Sequence, residues 1–106
     1  SATGSITVDN TINNLDLTLT GNVDLTLPNT NDLSSGSIRA LTIIVRQDGT
    51  GSRTFAMTAP SGFNLEFNNS STLPAVNATA NKRTIYTALL IKGDTDIYVS
   101  LSFYEA

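Results

Sequence analysis

The side chains that could do chemistry in this chain are carboxylates, hydroxyls and amides, because its 106 residues include no histidine and no cysteine. Ser-His-Asp and Cys-His catalysis need those residues, and so do most zinc sites. Two carboxylates roughly 5 to 10 Å apart could still cleave a glycosidic bond, and Glu66 and Glu105 are the only glutamates. With most hydrolytic chemistry excluded, we predict a protein that is not an enzyme and that has no catalytic, cofactor-binding or metal-binding residues.

Two short acidic motifs are similar to parts of known sites. "DGTGS", residues 48–52, contains the letters of the Asp-Thr-Gly signature of aspartic proteases, but Gly49 separates Asp48 from Thr50. Its two glycines can adopt positive φ, which is typical of a turn between strands. "DTD", residues 94–96, offers oxygen ligands to calcium but lacks the glycine-bearing loop of a calcium site. We therefore interpret both motifs as turns.

The aromatic side chains could stack on sugar rings, but phenylalanines at alternating strand positions usually lie in the core. In "IYVSLSFY", residues 97–104, Ile97 and Phe103 share one face of a strand, and Tyr98 and Tyr104 share the other. A tyrosine has an apolar body and a polar tip, which suits a contact between proteins. We predict that Tyr98 and Tyr104 lie on the face away from the core and contact another subunit.

The elements that must position these side chains are strands, because apolar and polar residues alternate along the chain and no helical period persists. The alternation predicts strands at residues 5–9, 15–19, 23–27, 38–47, 53–58, 63–67, 83–92 and 97–104. The segment 53–58 is expected to be the hairpin partner of 38–47, and 59–81 is a long excursion between strands. Strands of this number and spacing favour a single domain over residues 1–106, an antiparallel β-sandwich or jelly roll, with a barrel as the alternative.

Residues 15–28, "LDLTLTGNVDLTLP", contain one strand pattern twice, separated by Thr20-Gly21-Asn22. A two-residue hairpin turn would place leucine and aspartate on the same face, so it is disfavoured. A three-residue bulged turn, or an arch that carries the second copy into another sheet, keeps the large apolar groups together. Either one buries Leu15, Leu17, Leu19, Val23, Leu25 and Leu27 and exposes Asp16, Thr18, Asp24 and Thr26.

The composition indicates a surface made for contact with proteins. Only 14% of residues are charged, the net charge is −3, and the six basic residues are dispersed, so we expect no nucleic-acid partner. No apolar stretch approaches the roughly 20 residues that a membrane helix needs, so we expect no membrane partner. The polar segment 1–10, "SATGSITVDN", could be an N-terminal arm that adds a strand to a neighbour.

Three blocks of the chain resemble tailed-bacteriophage virion proteins: residues 15–28, 41–55 and 78–99. The most specific piece is "QDGTGSRT", residues 47–54, which follows a strand pair of the Leu-Thr-Leu-Thr-Gly-Asn type and precedes a Thr-Ala-Asn-Lys segment. The resemblance implies a β-sandwich that forms homotrimers, as found in tail fibres, neck or head fibres and capsid decoration proteins. It transfers no catalytic residue to this chain.

From this resemblance we expect a capsid decoration (cement) protein, a virion structural protein made in the host cytoplasm. Its homotrimer would sit on the capsid surface and bridge subunits of the major capsid protein. A short chain favours this role, because fibres usually hold such domains in longer polypeptides. The alternative is a tail or head fibre module that contacts a host surface glycan, although many fibre modules end in a strand with Trp and this chain has no Trp.

Overall fold

The computed structural model of the chain describes residues 2–68 and 70–106, and every regular element in this part is a strand. The strands are β1 (Ala2–Thr7), β2 (Asn14–Thr26), β3 (Ile38–Gln47), β4 (Phe55–Thr58), β5 (Asn64–Phe67), β6 (Arg83–Ile91) and β7 (Asp96–Tyr104). The prediction of an all-β chain is confirmed. No helix among the described residues has the length and apolar character needed to cross a membrane.

The double pattern of residues 15–28 forms one continuous strand, β2, where two strands were predicted. Its first half pairs with β3, with Leu15 opposite Ile43, and its second half pairs with β1 and β4. The bulged turn is therefore wrong, and so is the arch into another sheet, because β2 stays in one sheet while its two halves have different partners. Gly21 does not form a turn; its small size allows β1 to approach β2 closely. A Cβ built on Gly21 would lie 3.0 Å from the Cβ of Thr3 in β1.

The strands wind as a β-solenoid of about three turns, so the predicted antiparallel β-sandwich or jelly roll is wrong. In the described part of the chain, four of the six ladders are parallel: β1–β2, β2–β3, β2–β4 and β5–β7. Successive turns stack equivalent side chains on one another, as in the row of Ile6, Leu25 and Met57. Alternation specifies which face of a strand is buried, but it is the same for parallel and antiparallel neighbours.

Two polar side chains hold the corners of the solenoid by bonding to backbone. Arg39 is buried and donates to the carbonyls of residues 9 and 12 and to Oδ1 of Asn13. Gln47, also buried, exchanges two hydrogen bonds with the backbone of Arg53, at 2.8 and 3.0 Å. At the corner held by Gln47, the chain turns away from β3, and β4 pairs with β2 in parallel. The predicted hairpin between 38–47 and 53–58 is therefore wrong.

The antiparallel part of the sheet is β3–β6–β7, and β5 joins the far edge of β7 in parallel. The predicted hairpin between the last two strands is confirmed, with Gly93 at φ 89° in its turn. Within segment 1–10, Ala2–Thr7 forms β1 on the chain's own β2, while Ser1 lies outside the described residues. The role of this segment as an arm stays a prediction.

The core lies between the inward faces of the stacked strands. Leu19, Leu25, Leu41 and Ile43 are fully buried, and each contributes roughly 1.5–3 kcal/mol by burial of its side chain. The faces predicted for the double pattern are confirmed for Asp16 and Asp24, which are exposed, and for the four later apolar residues, which are buried; Leu15, Leu17, Thr18 and Thr26 are half-buried.

Candidate functional site

A groove of about 400 Å³ lies on the outer surface where β5, β6 and β7 meet. It is lined by Glu66, Phe67, Asn68, Thr87, Leu89, Tyr98, Val99 and Ser100. The ladders explain this grouping, because Leu89 lies opposite Tyr98 and Tyr98 lies opposite Glu66 in three successive strands. We call this surface the Tyr98 groove.

The Tyr98 groove combines an apolar floor with polar groups. Leu89 and the ring of Tyr98, which is 39% exposed, give it an apolar and aromatic surface. Thr87 and Ser100 lie opposite each other in the next row of the ladder and supply hydroxyl groups. A groove with an exposed ring, hydroxyls, an amide and a carboxylate has the groups needed to bind a polyhydroxylated ligand.

The turn before β7 fixes the position of the tyrosine. The Tyr98 hydroxyl donates a hydrogen bond to Oδ2 of Asp94 at 2.8 Å, and the amide of Asp96 donates to Oδ1 of Asp94 at 2.8 Å. The Asp96 amide and then the Tyr98 hydroxyl hold the pKa of Asp94 below its usual range. The bond to Asp94, burial, and the charges of Asp94, Asp96 and Glu66 raise the pKa of Tyr98. The interpretation of residues 94–96 as a turn is confirmed.

The two tyrosines proposed as subunit contacts lie on opposite faces of the sheet. Tyr98 lies opposite Leu89 on the outer face, whereas Tyr104 lies opposite the buried Thr84. A bulge, seen as a shift of the β6–β7 register between Ile85 and Tyr86, inverts the end of β7. The expectation of a shared face is therefore wrong, and a subunit contact by either tyrosine stays a prediction.

The same bulge places Phe103 on the outer face. Sequence alternation predicts that this side chain lies in the core. Phe103 is 50% exposed and lies opposite Ile85, which in turn lies opposite Ile44. These three side chains form an apolar row across β7, β6 and β3, which we call the Phe103 row. The alternation of residues 97–104 looks unbroken, so the sequence carries no signal of the bulge.

Two of the remaining acidic candidates, Asp48 and Glu105, serve structural contacts. Asp48 accepts hydrogen bonds from the amides of Thr50 and Gly51 and forms an ion pair with Arg53 at 3.1 Å, which confirms the turn at residues 48–52. Glu105 pairs with Arg83 at 3.2 Å beyond the end of β7. Glu66 lies beside Tyr98, and the seven residue steps from 98 to 105 separate it from Glu105 by roughly 20 Å or more. This is too far for the carboxylate pair of a glycosidase.

Among residues 2–68 and 70–106, no three acidic side chains come together as a cation site.

Comparison with known families matches residues 3–96 of the 106 to the family described as "Putative phage tail fibre C-terminal domain". No curated protein and no solved structure matches the chain. The match covers β1 to β6 and most of the three blocks that resemble tailed-phage virion proteins, so that resemblance is confirmed. A family of this kind is structural and belongs to the virion. The chain therefore belongs to the phage tail fibre C-terminal domain family.

Proposed function

We propose that this protein is a fibre module that contacts the surface of the host cell, and that the Tyr98 groove is the contact. The observation that carries the proposal is an aromatic ring kept 39% exposed in a groove with hydroxyl and carboxylate groups. The exposed part of this ring is free to pack on a ligand. The family match supports a fibre over the capsid decoration protein expected from the sequence.

The test is competition between the purified chain and phage particles for host cells. Cells are incubated with the chain, and the rate at which free phage disappears from the medium is measured. We expect the wild-type chain to slow adsorption and Tyr98→Ala to lose this effect. Tyr104→Ala is the matched control, because Tyr104 is a similarly exposed tyrosine on the opposite face of the sheet.

Phage particles that lack the chain distinguish a fibre role from a capsid role. Particles that lack the chain should fail to adsorb while surviving heat and osmotic shock as well as intact particles do. If they adsorb normally and break under heat or osmotic shock, the capsid decoration role replaces the proposal. If the wild-type chain leaves adsorption unchanged, the host-contact role is wrong.

A further inference from the structure

The chemistry of the Tyr98 groove restricts the ligand that it can hold. We propose that the groove binds an uncharged sugar, with a pyranose ring stacked on Tyr98 and its hydroxyls hydrogen-bonded to Glu66 and Ser100. This inference rests on the proposed host-contact function, because it names the ligand class of the same groove.

The stacking surface is formed before any ligand arrives. The Tyr98 hydroxyl is bonded to Asp94 at 2.8 Å, and Asp94 is held by the amide of Asp96, so the ring cannot turn freely. Leu89 lies beside it on β6 and extends the apolar surface. A ring that is already ordered loses little rotamer freedom on binding, and the C–H face of a pyranose is a suitable apolar partner for it.

Polar groups at the edge of the ring match the hydroxyls of a sugar. Glu66 lies opposite Tyr98 on β5, and Ser100 lies two residues along β7 on the same face. Among residues 2–68 and 70–106, no hydrogen bond engages the side chain of Glu66 or Ser100, whereas Thr87 Oγ1 is already bonded to Ser102 Oγ at 2.7 Å. A carboxylate accepts and a hydroxyl can donate or accept, so the pair can bond to neighbouring sugar hydroxyls.

The volume limits the ligand to a small one. A groove of about 400 Å³ lies near the lower end of the range for small-molecule sites, with room for about one or two sugar rings. A longer glycan would extend beyond it along the surface.

The charge around the groove disfavours acidic sugars. Glu66, Asp94 and Asp96 all act on Tyr98 with negative charge, and the chain as a whole carries a net charge of −3. Lys92, the basic residue in the same hairpin turn, donates from Nζ to the carbonyl of Asn31 at 3.0 Å. A carboxylated or phosphorylated sugar would place like charges together in the groove, which is unfavourable.

The experiment uses the whole chain and a panel of simple sugars followed by NMR chemical-shift changes. The neutral probes are the methyl glycosides of glucose, galactose, mannose, rhamnose and N-acetylglucosamine; the acidic probes are galacturonic acid and N-acetylneuraminic acid. We expect at least one neutral probe to shift the amides of residues 66, 89 and 98–100, and each acidic probe to bind at least about tenfold more weakly.

Variants then test the contributions of the Tyr98 ring and of the Glu66 charge to binding. Tyr98→Ala should weaken binding of the neutral probe about tenfold, whereas Tyr98→Phe should keep it within about threefold because the stacking face is retained. Glu66→Gln should reduce the discrimination against the acidic probes. Tyr104→Ala should leave all affinities unchanged, and a thermal unfolding curve checks that each variant is folded.

The inference is overturned if no neutral probe shifts the groove, if an acidic probe binds as tightly as the neutral ones, or if Tyr104→Ala loses as much as Tyr98→Ala. These results are distinct from failure of the host-contact function. A chain that slows phage adsorption but binds no neutral sugar keeps the function and loses this ligand class. A chain that binds a neutral sugar without slowing adsorption does the reverse.

Discussion

The backbone amide of Gly51 donates a hydrogen bond to the carboxylate of Asp48, with 3.0 Å between nitrogen and oxygen. The Asp48 carboxylate also accepts from the amide of Thr50 at 3.1 Å and pairs with Arg53 at 3.1 Å. These contacts close the corner at which the chain leaves β3 and begins the path to β4. We therefore expect the Asp48 contacts to support the parallel pairing of β4 with β2.

Gly51→Ala should lower the free energy of unfolding by about 2–4 kcal/mol, measured by urea denaturation. Gly51 has φ 75°, and a Cβ built there would lie 2.8 Å from the amide nitrogen of Ala80 and 2.9 Å from the carbonyl oxygen of Ala78. Both neighbours are backbone atoms and cannot turn away.

Two other glycines separate the causes of that loss. Gly62 has φ 86° but open space around it, so Gly62→Ala should cost only the backbone strain, about 1 kcal/mol. Gly49 has open space and no positive φ, so Gly49→Ala should change stability by less than about 0.5 kcal/mol. Equal losses in all three variants would show that close approach to residues 78–80 is not what Gly51 provides.

The Asp48 contacts should make stability depend on acid. The side-chain bond from Arg53, followed by the amides of Gly51 and Thr50, holds the pKa of Asp48 below its usual value of 3.8. Because the folded pKa is the lower one, the stabilisation is fully present above about pH 5, where the unfolded carboxyl is also ionised, and is lost as the pH falls through the folded pKa. The difference in stability between wild type and Asp48→Asn should thus be constant near pH 6 and shrink below pH 4. Urea denaturation between pH 2.5 and pH 7 tests this, and a difference that stays constant throughout would contradict it.

Tyr86→Phe should destabilise the chain by about 1–2 kcal/mol, because the hydroxyl of the fully buried Tyr86 donates to the carbonyl of Pro74 at 2.5 Å. Burial raises the pKa of Tyr86, so the hydroxyl stays a donor at neutral pH. Its ring stacks on Phe55 with 5.7 Å between centroids, and Phe preserves this contact. Amide exchange should also quicken around Asn77, whose backbone bonds to Thr84. Tyr98→Phe is the control, since its partner Asp94 lies in a solvated turn, and it should cost less than about 0.5 kcal/mol.

The sequence allowed most of the strands and most of their buried faces to be predicted, but not the direction of the neighbouring strands. Leu25 is buried and Asp24 is exposed, as period-2 alternation requires. The pairing of Leu25 with both Ile6 and Met57 in parallel depends on where the chain returns after each corner. Corner contacts such as Gln47 with the backbone of Arg53 join residues six positions apart without any repeating pattern. Gly21 falsely indicates a turn in the sequence, because its small size is needed for the close approach of Thr3 in β1.

The candidate site was predictable only in part, for the same physical reason. Tyr98 follows the buried Ile97 in β7, so alternation placed it correctly on the outer surface. Glu66 comes from the excursion 59–81, and nothing local shows that this segment returns to pair with β7. The exposure of Phe103 depends on one bulge, which leaves no mark in the residue types. Long-range pairing therefore determines both candidate surfaces.

Substitutions in the Phe103 row test whether copies of the chain associate into trimers, as expected from the sequence. Ile44, Ile85 and Phe103 form an apolar strip, which ends at Asp16 opposite Ile44. Arg46 and Arg83 lie in the neighbouring row and form the ion pairs Arg46–Asp16 at 3.0 Å and Arg83–Glu105 at 3.2 Å. An apolar centre with a charged border is the usual arrangement of an interface between proteins. Phe103→Ser should therefore reduce the mass of the assembly measured by sedimentation, while the unfolding midpoint of the chain changes little because half of that side chain is already exposed. Tyr104→Ser, on the opposite face, should leave the mass unchanged. If Tyr104→Ser dissociates the assembly and Phe103→Ser does not, the copies meet through the other face of the sheet, and a wild-type chain that sediments as a monomer at every concentration contradicts association altogether.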